Sequence, residues 1–345
     1  MSAPVHQRAV IQQRFGPVEE VLSWTEDLPV RPPQAGQVQV RVEAAGINPI
    51  DWQMIQGNRR LITPRRFPFI PLFDIAGTVS AVGSGVTRFR IGDRVHGDNH
   101  LQAGGASEYA NVDESLLNEI PAGLDFADAA AVPLAAQTAL AVLDAGGVTN
   151  GSRVAVIGAS GGVGTFIVQM LRSRGARIVA VSSSRNHALV RTLGADDVID
   201  HRTTTLADSY PLSSFDTVID CVGGRDKWLQ ARRVLRRGGS FVTISRDEDE
   251  TVTPASALRM LATIGLRRLR GMIGARIKYI PVFLRASADL LGRVDAMVDD
   301  GGVAPQIAAR FPFTLEGVHA ALARSRTGRT PGKIVIEMTH AGAPL

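Results

Sequence analysis

The run Gly158-Ala159-Ser160-Gly161-Gly162-Val163-Gly164 follows the apolar stretch Val154-Ala155-Val156-Ile157 and leads into a helical pattern. Glycines spaced Gly-x-x-Gly-x-x-Gly allow a tight turn and let the backbone approach a pyrophosphate. The phosphates then rest at a helix N-terminus, where free N–H groups and the helix dipole favour an anion. Ser160, Gly161, Gly162 and Val163 are the residues this reading places around the phosphates. A strand-to-helix turn with no ligand is the competing interpretation. The next strand-like run ends Val181-Ser182-Ser183-Ser184-Arg185. A carboxylate at that place would bind a ribose 2′-hydroxyl. Hydroxyls and a guanidinium stand there instead, and they suit a 2′-phosphate. Ser182, Ser183 and Arg185 therefore point to NADPH, although the serines could also serve only to cap the following helix.

These side chains need a parallel sheet to hold them, and the order of elements supplies one. After Asp125 strands and helices alternate: strand at Arg153–Ile157, helix at Val163–Ser173, strand at Arg177–Val181, helix at Asn186–Leu193. The alternation continues with strand Thr217–Cys221, helix Trp228–Leu235 and strand Ser240–Ile244. That order argues for a parallel sheet covered on both faces. Ala127–Ala145 reads as a helix that Pro133 interrupts. Residues 255–276 and 286–299 read as further helices, and Gly332–Met338 returns to strand character. Before residue 120 the chain is β-rich. Arg8–Gln13, Gln37–Ala44 and Ile75–Val82 are strand-like between turn signals, which favours a small antiparallel barrel.

The chain has 345 residues, enough for two domains, with 45% hydrophobic and 21% charged residues. The net charge of +5 is a weak footprint for nucleic acid, and there is no basic–aromatic interleaving or recognition helix. One cysteine, Cys221, excludes an intramolecular disulfide and a cysteine-rich zinc site. No stretch approaches the roughly 18 apolar residues of a membrane span, and a cytoplasmic location is expected. His96, Asp98 and His100 form His-x-Asp-x-His, a possible metal triplet on one strand face. Arg267, Arg268 and Arg270 crowd one helical stretch, which reads as a solvated face, an anion-attracting surface or a membrane-lying helix.

Several motifs in fixed order then resemble one family. They are Ala44-Ala45-Gly46-Ile47-Asn48-Pro49-Ile50-Asp51, Asp74-Ile75-Ala76-Gly77-Thr78-Val79 with Val82-Gly83, Gly92-Asp93-Arg94-Val95, and Gly104-Gly105-Ala106-Ser107-Glu108-Tyr109. The second half adds Gln137-Thr138-Ala139, the glycine turn, Leu193-Gly194-Ala195-Asp196 and Gly332-Lys333-Ile334-Val335. Together they are similar to the zinc-free quinone oxidoreductase branch of the medium-chain dehydrogenase/reductase superfamily. Phe311-Pro312-Phe313 and the run Arg276–Ala288 look most like its reticulon-interacting mitochondrial members.

The resemblance implies an α/β protein: a GroES-like barrel at 1–122 and 312–345, and a doubly wound Rossmann domain at 123–311, with the nicotinamide in the cleft between them. It implies a homodimer, commonly built through the Rossmann sheets. Zinc-dependent relatives place Cys where Asn48 stands and a Gly-His-Glu run where Phe73-Asp74-Ile75 stands, so no zinc is expected. Without that Lewis acid the chemistry narrows to hydride delivery to a quinone or an α,β-unsaturated carbonyl. By resemblance Asn48 either donates to the acceptor carbonyl or holds a turn, and Asp51 fixes loop structure. Many relatives carry Tyr where Trp52 stands; tryptophan stacks on a flat substrate but is no acid. Tyr279 is a candidate proton donor or a packing residue. Thr138, His201, Val222 and Ile244 are expected beside the cofactor, each with a packing or surface alternative, and Lys333, on the strand that completes the barrel, is expected there too. A scaffold or sensor that binds NADPH without turnover is the rival function.

Overall fold

The structure is a computed structural model that describes residues 6–60, 65–100, 102–245, 252–272 and 276–338, without the side chains of residues 254 and 270–272. The chain divides into two compact units. One comprises residues 1–137, 285–301 and 305–345; the other comprises residues 138–284 and 302–304.

In the second unit six strands are all parallel. Across the sheet they run Asp197–Asp200, Arg177–Ser182, Arg153–Ile157, Phe215–Asp220, Leu235–Thr243 and Lys278–Pro281. Numbered by sequence, that order is 3-2-1-4-5-6, the doubly wound Rossmann arrangement. The central strands Arg153–Ile157 and Phe215–Asp220 have no exposed residue, as a sheet covered on both faces requires. Phe215, Phe241, Trp228 and Val234 fill the layer beneath one face.

In the first unit the main sheet is built on the long strand Gln37–Ile47. It pairs antiparallel with Asp74–Val82, Tyr109–Asp113 and Lys333–Glu337. Arg94–Asp98 and Leu117–Glu119 extend one side, and Ile307–Pro312 lies parallel to Lys333–Glu337 on the other. Val38, Val40, Val42, Ile75, Val95 and Ile336 point into one core. This is the expected GroES-like sheet, with the C-terminal strand returning to complete it.

The units divide the chain elsewhere than at residues 122 and 311. The helix Ala288–Asp299 belongs to the first unit, as does Ile307–Pro312. Asn118 Nδ2 donates to Asp295 Oδ2 at 2.9 Å and to the carbonyl of Ala288 at 3.0 Å, and His96 Nε2 lies 3.1 Å from Asp295 Oδ1. Such polar anchors join residues far apart in sequence and leave no trace in periodicity. Pro133 splits the alanine-rich helix as expected, into Phe126–Ala130 and Pro133–Gly146. The helix expected over 255–276 spans Pro254–Met272, and residues 273–275 lie outside the described residues. Arg267 on it is buried, not solvated; the Arg270 side chain lies outside the description.

Candidate active site

The glycine turn forms as its spacing demands. Gly158 has φ +80°, and its N–H donates to Val181 O at 3.0 Å, tying the turn to the next strand. Gly161 is the N-cap of the helix Gly162–Ser173 and offers no side chain to cap it. The first-turn N–H groups are therefore left for another acceptor, which is the condition a phosphate needs. The fit to a dinucleotide is sharpened by Gly164: a Cβ there would stand 2.2 Å from Gly158 O. Helix and strand pack so closely that only hydrogen fits, leaving the turn compact enough for a pyrophosphate to lie over it.

Ser182, Ser183, Arg185, His201, Val222 and Ile244 lie at or just beyond the C-terminal ends of the strands of the same sheet. Ser182 is buried and Ser183 half-buried; Arg185 is exposed in the short turn Ser184–Asn186. Asn186 Nδ2 donates to Ser160 Oγ at 2.9 Å, so the two loops are joined. His201 is exposed, and its N–H donates to Ser182 O at 3.3 Å. The carboxylate closest in register to Ser182 is Asp200, and Arg202 pairs with it at 3.4 Å. Val222 is exposed at the end of its strand, where a Cβ on Gly158 would meet it at 2.8 Å. Ile244 N donates to Asp220 O at 3.2 Å, and Ser245 Oγ donates to Val222 O. These ends flank the place where the strand order reverses, where parallel sheets bind ligands. Thr138 is buried on the helix Pro133–Gly146.

Tyr279 lies in the strand Lys278–Pro281. Its ring stacks on Phe241 and meets the Trp228 ring edge-on, and Arg267 Nη1 donates to its hydroxyl at 3.0 Å. Those surroundings match the packing alternative.

In the first unit Asn48 is buried as the N-cap of the helix Pro49–Ile55. Its Nδ2 donates to Asp74 Oδ2 at 2.8 Å, and its Oδ1 accepts from Lys333 Nζ. Lysine only donates and a carboxylate only accepts, so the amide orientation is fixed. Lys333 Nζ is also 3.2 Å from Asp74 Oδ2, and Leu134 N donates to Asp74 Oδ1 at 2.9 Å. Asn48 keeps one amide hydrogen uncommitted by these bonds. Lys333, expected beside the cofactor, is 3% exposed and engaged here. Asp74 is the residue that reading the sequence missed. The signal for it was a carboxylate set between apolar residues, Leu72-Phe73 before it and Ile75-Ala76 after it, in a chain with only three lysines. A buried charge needs an opposite one.

Asp51 Oδ2 accepts from Asn48 N at 2.6 Å, which supports its loop-fixing role. Burial pushes its carboxyl up to about 8, and Asp74 adds to the rise; the Asn48 N–H and Lys333 oppose it. Burial also pushes Asp74 up, against the downward pull of Lys333. At neutral pH Asp51 is a neutral acid in the folded chain and a carboxylate in the unfolded one. The folded state then holds the extra proton, so this contribution to stability is complete below about pH 4 and lost as pH rises through about 8. The loss is on the order of 5 kcal/mol over that window. Asp51→Asn keeps the oxygen that accepts from Asn48 N and needs no proton. Calorimetry from pH 5 to 8.5 should show the wild-type midpoint falling relative to the variant. Parallel curves would show that Asp51 is ionised in the fold.

The sequence-proposed metal triplet is not assembled. His96 is fully buried with Nδ1 3.0 Å from Ala129 O and Nε2 facing Asp295. His100 turns off the strand with φ +32°. Among the described residues no three His, Cys, Asp or Glu side chains are arranged to hold a metal. No helix among them is long and apolar enough to cross a membrane.

Comparison with known proteins matches residues 34–122 to the alcohol dehydrogenase GroES-like domain and residues 193–336 to the zinc-binding dehydrogenase family. The chain is 32% identical to a chloroplast envelope quinone oxidoreductase homolog of Arabidopsis thaliana, over 90% of this chain and 92% of that one. It is 31% identical to a 2-methylene-furan-3-one reductase of Solanum lycopersicum, over 97% of this chain and 80% of the relative. It is also 31% identical to the human mitochondrial NAD(P)H oxidoreductase RTN4IP1, over 88% and 82% respectively. With its Rossmann sheet, its glycine turn and its GroES-like sheet, the chain belongs to the medium-chain dehydrogenase/reductase superfamily of NAD(P)H oxidoreductases, in the quinone oxidoreductase branch.

Proposed function

We propose that the protein is an NADPH-dependent, zinc-independent reductase of quinones or of carbon–carbon double bonds conjugated to a carbonyl. The observation that carries this reading is the bond from Lys333 Nζ to Asn48 Oδ1. The position at which zinc-dependent relatives present a thiolate here holds an amide tied to an ammonium, and an ammonium repels a dication. The names of the relatives, one a quinone oxidoreductase homolog and one an enone reductase, support the acceptor class.

A bound reduced nicotinamide supplies the hydride; with one proton it converts an enone to the saturated carbonyl, or a quinone to the hydroquinone. The glycine turn and the helix behind it hold the pyrophosphate. Ser182, Ser183 and Arg185 favour a 2′-phosphate, and the pairing of Asp200 with Arg202 removes the nearest carboxylate's objection to it. The remaining amide hydrogen of Asn48 donates to the acceptor oxygen and steadies the charge that grows there. Trp52 offers a ring for a planar acceptor and no acid, so water provides the proton. The family reading extends to a homodimer through the second unit's sheet, one of whose two edges is Lys278–Pro281, and to a cytoplasmic location.

The test is oxidation of NADPH and NADH by the purified chain with a panel of quinones and enones, with and without a chelator. NADPH should be preferred and the chelator should have no effect. Arg185→Ala should raise the KM for NADPH about tenfold, equivalent to about 1.4 kcal/mol, and leave that for NADH unchanged. Equal use of both cofactors, untouched by Arg185→Ala, refutes the 2′-phosphate assignment. Loss of activity on chelation refutes zinc independence.

A further inference from the structure

Arg65 is half-buried with its guanidinium 3.7 Å above the Phe69 ring and 5.6 Å from that of Phe73. Its Nε and Nη2 are buried and have no hydrogen-bond partner. Those two nitrogens form one edge of the guanidinium, where two parallel N–H bonds point the same way and match the oxygens of a carboxylate. Burial lowers the arginine's pKa to about 10, and Asp51 is near enough to hold it up without forming an ion pair with it. A desolvated cation with both side-on donors idle is costly unless a ligand takes them.

A second observation points the same way. Asp51 Oδ1 and Trp52 Nε1, on the helix that Asn48 caps, are also buried without partners. Unanswered polar atoms gather on and beside this helix, next to apolar packing. Met54, Phe73 and Ala103 pack with Ile50 and Phe69 into a cluster of their own. A flat apolar body over such a cluster, ending in a carboxylate, answers the guanidinium as a neutral molecule cannot.

We infer that the acceptor reduced at this site carries a carboxylate, gripped side-on by Arg65, with its apolar part against the half-buried Phe69 and Ile50. The inference rests on the reductase reading and names its substrate class: an unsaturated carbonyl compound bearing an acid group. Phe69 and Phe73 fix the plane of the guanidinium by cation–π contact, so the fork is oriented before the ligand arrives.

The probes are trans-3-benzoylacrylic acid, an enone ending in a carboxylate, its methyl ester, and the saturated acid 3-benzoylpropionate, which cannot turn over. Wild-type protein should show at least tenfold higher kcat/KM for the acid than for the ester. Arg65→Lys keeps the charge but loses the side-on pair of donors; it should raise KM for the acid at least tenfold and leave the ester within twofold. Arg65→Gln should do the same and weaken 3-benzoylpropionate binding by calorimetry. Equal losses on acid and ester in both variants overturn the inference and make Arg65 a packing residue. So does a wild type without preference for the acid. Arg65-dependent binding of 3-benzoylpropionate with no reduction of either enone keeps the carboxylate seat and refutes the reductase reading instead.

Discussion

Lys333→Met is expected to destabilise the protein by about 3–5 kcal/mol, because it leaves Asp74 buried with no counter-charge. Both side chains are shielded from water, at 2% and 0% exposure, so solvent cannot take over the lost partner. In a unit of this size the loss should lower the unfolding midpoint by roughly 10 °C or more. The double variant Lys333→Met/Asp74→Asn removes both charges and keeps an amide beside Asn48. It should recover most of the loss, since a buried ion pair replaced as a whole costs little. Calorimetry on the four proteins of this cycle gives the coupling directly. The same proteins separate two roles for Lys333. A residue that fixes Asn48 moves the midpoint, and lowers kcat because the amide is no longer oriented. A residue that contacts the cofactor leaves the midpoint alone and raises the KM for NADPH. A single variant with a cost under about 1 kcal/mol would show that Asp74 is not held by Lys333.

The contrast between what the sequence told and what it hid follows the range of the interactions. Arg153–Ile157 was read to the residue, because a short apolar run ending in glycine has few other meanings. The break at Pro133 followed from the missing N–H of proline. The antiparallel sheet was legible from alternation at Val38, Val40 and Val42. By contrast Asn48, Asp74 and Lys333 meet across separations of 259 and 285 residues, and no local pattern announces such a meeting. The resemblance supplied Asn48 and Lys333 as separate candidates; the fold joined them directly and added Asp74, which was not among the candidates. Tyr279 was open between two roles, proton donor and packing residue. Lys278 and Arg276 suggested a tuned phenol; Arg267, twelve residues away, donates to the hydroxyl, and the ring packs on Phe241 and Trp228, which fits the packing role. The helix Ala288–Asp299 was legible as a helix and not as a part of the first unit, because its anchors to His96 and Asn118 are set by tertiary contact.

Gly164→Ala should weaken dinucleotide binding at least a hundredfold, and Gly161→Ala should weaken it while leaving the fold intact. The two glycines stand three residues apart and differ in what surrounds them. A Cβ on Gly164 would lie 2.2 Å from Gly158 O and 2.8 Å from Ala159 C and Cα. All three are backbone atoms, so no side chain can swing aside. The first turn of the helix Gly162–Ser173 must move off the strand, at a cost at the upper end of the roughly 1–3 kcal/mol of overpacking. Its N–H groups are then re-aimed, and a hundredfold weakening, about 2.7 kcal/mol, is a conservative expectation. Gly161 has φ −79° and ψ 176°, which any residue adopts, and its nearest neighbour would be 3.4 Å away. Alanine there disturbs nothing in the protein and projects into the space a pyrophosphate would occupy. Unfolding midpoints and NADPH fluorescence titrations on both variants separate the two effects. A Gly161→Ala protein that binds NADPH as tightly as the wild type would mean that no phosphate lies over the turn.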